Sequence, residues 1–442
     1  SYIFIRIDRL LKKMEDSYRK YINKLIEKEE IKVINDIVDK DKDVPKILYS
    51  NQNMPFLFTK VKNFENKKIV GNICPSPRHL SFALDVNQSH LTNKVSKVLS
   101  NLKRPKIILN RGEWIERDAD LFSLPIPKYY KKDGGCYLTS SIVACKFPNS
   151  EDENLSVHRI MVIRKDLGVI RILPRNLYKI LEEKDGKSDI ALIIGAHPAV
   201  FFAASLSLDY GVSEYYAANS FFDGKMRFVR MENGIKVPLG AEVILLGEID
   251  LKERRREGPF TDITGTYDTI REEPVVKFNK MFVPKDEIIF HALLPASNEH
   301  KLFMGLPQKM KILNVLKKNG IYVKDLNLTN GGCAYFHAII SIIKINEEDG
   351  KNTIKYVFEN AHSIKLAIVV DEDIDPHKID EVEWALATRF QADKGLIILQ
   401  NQRGSSLDPS TFKTGKTSKM GIDATLPLNL KKSVFKRAQI NE

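Results

Sequence analysis

The stretch that most constrains the fold is residues 242–267. There an apolar run, Glu242-Val243-Ile244-Leu245-Leu246-Gly247-Glu248-Ile249, passes through Arg254-Arg255-Arg256 into Glu257-Gly258-Pro259-Phe260-Thr261-Asp262. Such a run ending at a Gly-Pro pair reads as a strand closed by a fixed, tight loop, because both residues are poor in strand interiors and good in turns. The loop holds Glu257 and Asp262 in a set relation. Two carboxylates held this way can divide acid and base roles when their surroundings separate their proton affinities. Taken alone, the stretch also fits a solvated turn in which Glu257 pairs with the arginines before it.

At 442 residues the chain exceeds what one hydrophobic core usually serves, so two or three domains are expected. Apolar content of 43% and charged content of 29% suit a globular protein. No uninterrupted apolar run approaches the ~20 residues that a membrane span needs, so no membrane partner is expected. Residues 1–13 lack the long apolar core and small-residue cleavage site of a secretion signal. They are expected to be an extension ahead of a helix that starts near Met14. Cys74, Cys136, Cys145 and Cys333 are scattered without metal-type spacing, which argues for a reducing cytosol rather than a zinc site or a disulfide framework. The net charge of +12 is spread along the chain with no zinc-finger or RNA-binding signature, so an anionic small molecule is the expected partner rather than nucleic acid.

Taken in order, the pattern predicts an α/β multidomain fold. Residues 14–118 read as an N-terminal α/β domain, with a helix over 14–43, strands at 56–62 and 68–72, and a polar link at 110–118. Residues 119–285 are mostly β, with short strands interrupted by helices near 177–183 and 198–204, which suggests a split barrel able to hold a flat cofactor. Residues 286–400 alternate strand and helix as an α/β layer domain. The tail, 401–442, offers Lys413, Lys416 and Lys419 before Asp423-Ala424-Thr425. There is no internal repeat, Walker motif or dinucleotide glycine motif.

Asn154 and Arg159 lie five residues apart at the entry to an apolar strand. Asn offers a carbonyl oxygen to a hard cation, and Arg suits bidentate binding of a carboxylate or phosphate. Glu214 offers a further oxygen ligand. His158 should face away from Arg159 on its strand, and His197 sits in a Gly-Ala-His-Pro turn that suits packing or cofactor contact, so neither is assigned as a base or metal ligand.

Together these stretches resemble the UbiD family of reversible decarboxylases over nearly the whole chain after Met14. The resemblance is carried by the blocks at 124–127, 137–139, 154–159, 195–205, 211–214, 257–265, 369–388 and 418–425. It implies a prenylated FMN cofactor in the middle split-barrel domain, its phosphate bridged by a divalent metal and by K+. It also implies a separate flavin prenyltransferase that supplies the cofactor, and a homodimer or higher homo-oligomer. Asn154 and Glu214 then match metal ligands, and Lys419, Ser156, Arg159 and Glu214 match cofactor-binding positions, with Lys419 reaching the phosphate. Arg159, Glu257 and Asp262 match the catalytic set, in which the arginine orients the substrate carboxylate and the last acid moves the proton that replaces carbon dioxide.

Two departures stand out. Asp262 stands where the family usually has glutamate, which draws the acid back by about 1.5 Å, one carbon-carbon bond. Asn176 stands near the position of a family histidine ligand, and an all-oxygen site would suit Mn2+ or Mg2+. Both departures resemble the archaeal branch of the family that converts trans-anhydromevalonate 5-phosphate to isopentenyl phosphate. Arg254 to Arg256 are candidates to hold the phosphate tail of that substrate. The alternatives are an aromatic acid decarboxylase of the polyprenyl-4-hydroxybenzoate type and, from another class, a non-catalytic flavin-binding or nucleic-acid-binding protein.

Overall fold

The computed structural model describes residues 15–110, 112–411, 414–438 and 440. The expected extension at 1–13, and Lys413, lie outside the described residues. The chain divides into two compact units, one through Phe303 and one from Met304.

The first unit contains two main sheets. The smaller runs Lys32–Val38, Phe56–Val61, Lys67–Gly71, Ile288–Ala292 in spatial order. The helix expected over 14–43 is confined to Tyr18–Glu27, which buries Tyr18, Tyr21, Ile22 and Leu25. After the charged turn at 28–30 the β-branched residues Val33, Ile34 and Ile37 make a strand instead, parallel to Phe56–Val61. The sequence assigns 286–294 to the C-terminal domain. In the structure Ile288–Ala292 pairs in parallel with Lys67–Gly71, because its five residues are all buried and complete the first sheet. The polar stretch read as a link supplies the strand Ile115–Asp118, which pairs with Arg271–Val283.

The larger sheet has nine strands. Its path runs Tyr137–Leu138, Ile160–Arg164, Leu167–Ile170, Arg271–Val283, Val243–Glu257, Lys187–Ile194, Ile142–Lys146, Glu153–Val157, with Ile115–Asp118 beside Arg271–Val283. Glu153–Val157 ends one edge, and Ile160–Arg164 lies one strand in from the other. Only His158 and Arg159 separate them in sequence, so the sheet must curl until its two ends meet. The two seam residues are each held by the neighbouring pairing: Arg171 N–H donates to Arg159 O at 3.2 Å, continuing the pairing of Leu167–Ile170 with Ile160–Arg164, and Ser141 Oγ donates to His158 O at 2.9 Å, next to the pairing of Ile142–Lys146 with Glu153–Val157. Leu192, Ile194, Val143, Val243, Leu245 and Val276 fill one face of this curled sheet. The helix Pro198–Ser205, apolar all round and buried along seven of its eight residues, lies within the same unit.

The second unit is a five-stranded sheet in the order Tyr322–Leu328, His337–Ile343, Leu366–Asp371, Lys416–Asp423, Leu396–Arg403. The parallel pairing of His337–Ile343 with Leu366–Asp371 requires a crossover, which the helix Asp349–Asn360 supplies. Ile340, Ile342, Val369 and Ile354 pack into one core, and Ile339, Ile368, Val370 and Val382 into another. Alternation along the central strands explains the two cores, since successive side chains point to opposite faces.

Candidate active site

The two-residue seam sets the site. His158 and Arg159 belong to neither flanking strand, and Arg159 turns inward with its side chain 7% exposed. Its guanidinium meets three carboxylates. Nε and Nη2 donate to Oε1 and Oε2 of Glu257, both at 3.0 Å, in a bidentate fork. Nη1 donates to Asp262 Oδ2 at 2.6 Å and Nη2 donates to Asp268 Oδ2 at 2.8 Å. Phe260 lies beneath, with the guanidinium carbon 4.6 Å from its ring centre. Burial opposes the charge of Arg159, but Glu257, then Asp262 and Asp268, more than offset it and hold its pKa above the ordinary arginine value.

The loop after Glu257 delivers the other two acids. Glu257 ends the strand Val243–Glu257 and is fully buried. Gly258 then takes φ +96°, a left-handed conformation that a side chain would strain. Phe260–Thr261 pairs with Tyr267–Asp268 in a small hairpin, Phe260 opposite Asp268. Gly265 N–H closes the intervening turn on Asp262 O at 2.8 Å. The hairpin places Asp262 and Asp268 on the same guanidinium, although the sequence reading included only Asp262. Burial raises the pKa of Asp268, yet hydrogen bonds from Arg271 and Arg159 bring it below the usual aspartate value.

A second turn clamps this loop. Asp133 Oδ1 accepts from Thr261 N–H at 3.0 Å and from Thr261 Oγ at 3.1 Å, and Gly134 N–H donates to Pro259 O at 2.7 Å. A Cβ at Gly134 would lie 2.3 Å from Gly258 O, so only glycine permits this approach. Tyr137 donates its hydroxyl to Glu257 Oε1 at 3.0 Å, and burial followed by the Glu257 carboxylate keeps its phenol protonated far above the ordinary range. Sequence reasoning missed the roles of Asp133, Gly134, Tyr137 and Asp268. The Asp-Gly-Gly turn at 133–135 was the available signal for the first two.

Across the seam, Glu214 opens the helix Glu214–Phe221, and its Oε2 accepts from Leu155 N–H at 2.7 Å and from Asn154 Nδ2 at 3.1 Å. Burial pushes the Glu214 carboxyl up to about 8, against the lowering effect of those bonds. Asn154 Oδ1 is buried without a hydrogen-bond partner among the described residues. An unpartnered buried carbonyl oxygen beside a carboxylate whose charge is disfavoured is the donor set a hard divalent cation would complete, so the residues fit such an ion. Among the described residues no group of three or more His, Cys, Asp or Glu is placed to hold a metal. Asn176 begins the helix Asn176–Glu183 and donates Nδ2 to Leu208 O at 3.1 Å.

Ser156 lies on the same strand as Asn154 and donates its hydroxyl to His158 Nε2 at 2.8 Å. This direction follows from the other ring nitrogen, since Nδ1 of His158 meets a carbonyl, Arg171 O, at 2.9 Å and must carry the proton. Burial lowers the His158 pKa to about 4. His197 caps the helix Pro198–Ser205, with Nδ1 accepting from Ala199 N–H at 3.2 Å, and packs between Tyr21 and Phe222. Arg254 to Arg256 are exposed, with Arg254 Nη1 donating to Glu272 O and Arg255 paired to Glu253 at 2.9 Å. In the second unit, Lys419 lies on Lys416–Asp423 with its Nζ buried and donating to His362 O at 3.0 Å. Burial lowers its pKa to about 8.

Residues 22–99, 103–298 and 301–424 match in turn the N-terminal, Rift-related and C-terminal domains of the family described as 3-octaprenyl-4-hydroxybenzoate carboxy-lyase, UbiD. The chain belongs to the UbiD family. An anhydromevalonate phosphate decarboxylase from Methanocaldococcus jannaschii is 40% identical over 432 residues, 96% of this chain and 99% of that one. Another from Methanothermobacter thermautotrophicus is 37% identical over 404 residues, 90% and 95% of the two chains. Among solved structures, the UbiD-class enzyme HmfF from Pelotomaculum thermopropionicum in complex with FMN superposes with a TM-score of 0.90 at 31% identity, covering 96% of this chain and 97% of that one. An evolved dimeric form of that enzyme in complex with prFMN gives 0.86 at 30% identity, again covering 96% and 97%. The chain therefore has the mixed α/β multidomain fold of UbiD decarboxylases.

Proposed function

We propose that this decarboxylase converts trans-anhydromevalonate 5-phosphate to isopentenyl phosphate and carbon dioxide, using prenylated FMN. The observation that carries the reading is the buried Arg159 with Glu257 and Asp262 on its donors, a cation prepared to receive a carboxylate next to an acid able to return a proton. The anhydromevalonate phosphate decarboxylases among the relatives support the choice of substrate. The complexes of HmfF support the choice of cofactor.

In this reading the bond between the carboxylate and C2 breaks, its electron pair stays with the carbon skeleton, and one proton replaces carbon dioxide at C2. Prenylated FMN, when bound, supplies the electron sink. Arg159 orients the carboxylate, Glu257 fixes the plane of Arg159, and Asp262 carries the proton. Asn154 and Glu214 would hold Mn2+ or Mg2+, and Ser156 and Lys419 would contribute to binding the cofactor. Asn176 is a further candidate ligand only through its Oδ1, since its Nδ2 donates to Leu208 O. A flavin prenyltransferase supplying the cofactor, assembly as a homo-oligomer, K+ at the cofactor phosphate and a cytoplasmic location complete the proposal.

The test is headspace carbon dioxide from protein reconstituted with prenylated FMN, offered a panel of unsaturated acids. Release from the phosphorylated acid is expected. Inertness towards it together with turnover of hydroxybenzoates would overturn the substrate.

A further inference from the structure

The donor count at Arg159 goes beyond the set of three residues that the sequence brings together. A guanidinium has five N–H groups. Glu257 takes Nε–H and one N–H of Nη2, Asp268 takes the second N–H of Nη2, and Asp262 takes one N–H of Nη1. The two edges by which a carboxylate can grip a guanidinium bidentately, Nε with Nη2 and Nη1 with Nη2, both include Nη2, and here Nη2 has nothing left to give. Among the described residues, the one N–H without a partner is the second on Nη1.

Asp268 is anchored in this position. Its Oδ2 also accepts from Arg271 Nη1 at 2.5 Å, its Oδ1 accepts from Thr269 N–H at 2.8 Å, and its side chain is 8% exposed. Pairing of Tyr267–Asp268 with Phe260–Thr261 fixes its backbone against the residue on which the guanidinium stacks. Among the described residues Asp262 has no second cation, and it is the looser of the two, at 13% exposed.

We propose that Asp268 is a positioning residue that saturates Nη2 of Arg159, so that the substrate carboxylate is received on Nη1 beside Asp262, and that this shared nitrogen couples acid binding to the uptake of one proton. The inference rests on the decarboxylase reading above. The charges around the site supply the coupling. Three carboxylates, Glu257, Asp262 and Asp268, face two guanidiniums, Arg159 and Arg271, leaving one negative charge before substrate arrives. The neighbouring groups do not cancel it. Asp133 adds a further acid on Thr261, Tyr137 is a protonated phenol, His300 is kept neutral by burial, and Lys132 sits over the Tyr267 ring at 5.8 Å, outside the cluster. A second carboxylate on Nη1 places two like charges side by side, which is relieved when one proton binds between them. Asp262 then holds the proton that C2 requires before the carbon-carbon bond breaks.

The experiment titrates trans-anhydromevalonate 5-phosphate into protein carrying unprenylated FMN, which lacks the electron sink. Calorimetry in two buffers of different ionisation enthalpy reads the protons taken up. Comparing variants at one pH cancels any contribution from the phosphate group. Wild type is expected to take up about one proton more per acid bound than Asp268→Asn, whose cluster starts neutral. Asp268→Glu, which keeps the charge, should retain the uptake. In reconstituted enzyme, Asp268→Asn should lower kcat about tenfold while KM stays level or falls, since the acid binds a less negative site but Asp262 is not charged with its proton. Clear binding heat with equal uptake in wild type and Asp268→Asn, or loss of uptake in Asp268→Glu, would overturn the inference alone. An absence of binding heat in wild type would overturn the substrate reading and the inference with it.

Discussion

Replacing Arg159 by lysine keeps the charge and removes the fork, and so isolates what the guanidinium geometry contributes. Arg159 makes four charge-assisted hydrogen bonds to three carboxylates, two of them in plane with Glu257. A lysine ammonium is a point donor on a flexible stem and cannot span both oxygens of Glu257 while also serving Asp262 and Asp268. At best it keeps two of the four bonds. Hydrogen bonds to charged groups are worth about 1.5–3 kcal/mol each, so the loss is about 3–6 kcal/mol. Loss of the stacking on Phe260 adds about 1 kcal/mol more. This total divides between folding and turnover. At about 1.4 kcal/mol per factor of ten, half of it in the transition state lowers kcat/KM by about a hundredfold, and the rest appears as a fall in unfolding free energy of about 2–3 kcal/mol. Steady-state carbon dioxide release and urea unfolding of the same preparation measure the two parts. A lysine variant within about threefold of wild type in turnover, with an unshifted unfolding midpoint, would show that the fork has no role and that any cation at the seam suffices.

Four further outcomes follow from the same geometry. Tyr137→Phe removes one donor to the Glu257 carboxylate and should cost about 1.5–3 kcal/mol shared between stability and turnover, read as a lower melting temperature and a lower kcat. Asp262→Asn should abolish carbon dioxide release while the flavin absorbance of the purified protein is unchanged, and undiminished turnover would remove its assigned role. Lys419→Met is expected to lose flavin on purification, and full retention would count against a phosphate contact. His197→Asn tests acid sensitivity. The folded His197 pKa is lowered to about 3 by burial, with a lesser contribution from Lys24, so its stabilisation is fully present above the unfolded value of 6.5 and is lost as pH falls towards 3. By pH 4 wild type should have lost about 3 kcal/mol from this residue. The asparagine variant, which can still cap the helix, should show a flatter decline in urea-unfolding midpoints between pH 6.5 and 4.

Much of this was legible in the sequence, and particular residues show why. Alternation and turn chemistry gave Phe56–Val61, Lys67–Gly71, Pro198–Ser205 and the loop at 257–262, because those signals are local. The helix assigned to 14–43 ran too far because Tyr18, Tyr21, Ile22 and Leu25 have helical spacing and the charged residues after them do not break a helical pattern. The strand Lys32–Val38 is set by its partner Phe56–Val61, a non-local choice. Ile288–Ala292 is the same case, since its partner lies more than two hundred residues earlier.

Asp268 escaped the sequence reading for a related reason. On the chain it follows a Thr-Gly-Thr-Tyr turn and resembles any solvated acid, and nothing at 267–271 announces a catalytic neighbour. Its significance is created by two closures that act together. The hairpin that pairs Phe260 with Asp268 brings it back over the guanidinium, and the curl of the nine-stranded sheet brings the guanidinium to the hairpin. Arg159 lies in the two-residue seam where that sheet meets itself, so its position depends on the register of every strand between the two edges. A slip in any one of those strands would move it relative to Glu257. The buried bonds that hold Arg159 therefore serve the barrel as well as the reaction: three acids on one arginine staple the seam shut, and without Arg159 the buried Glu257 and Asp262 lose their cation while Asp268 keeps only Arg271.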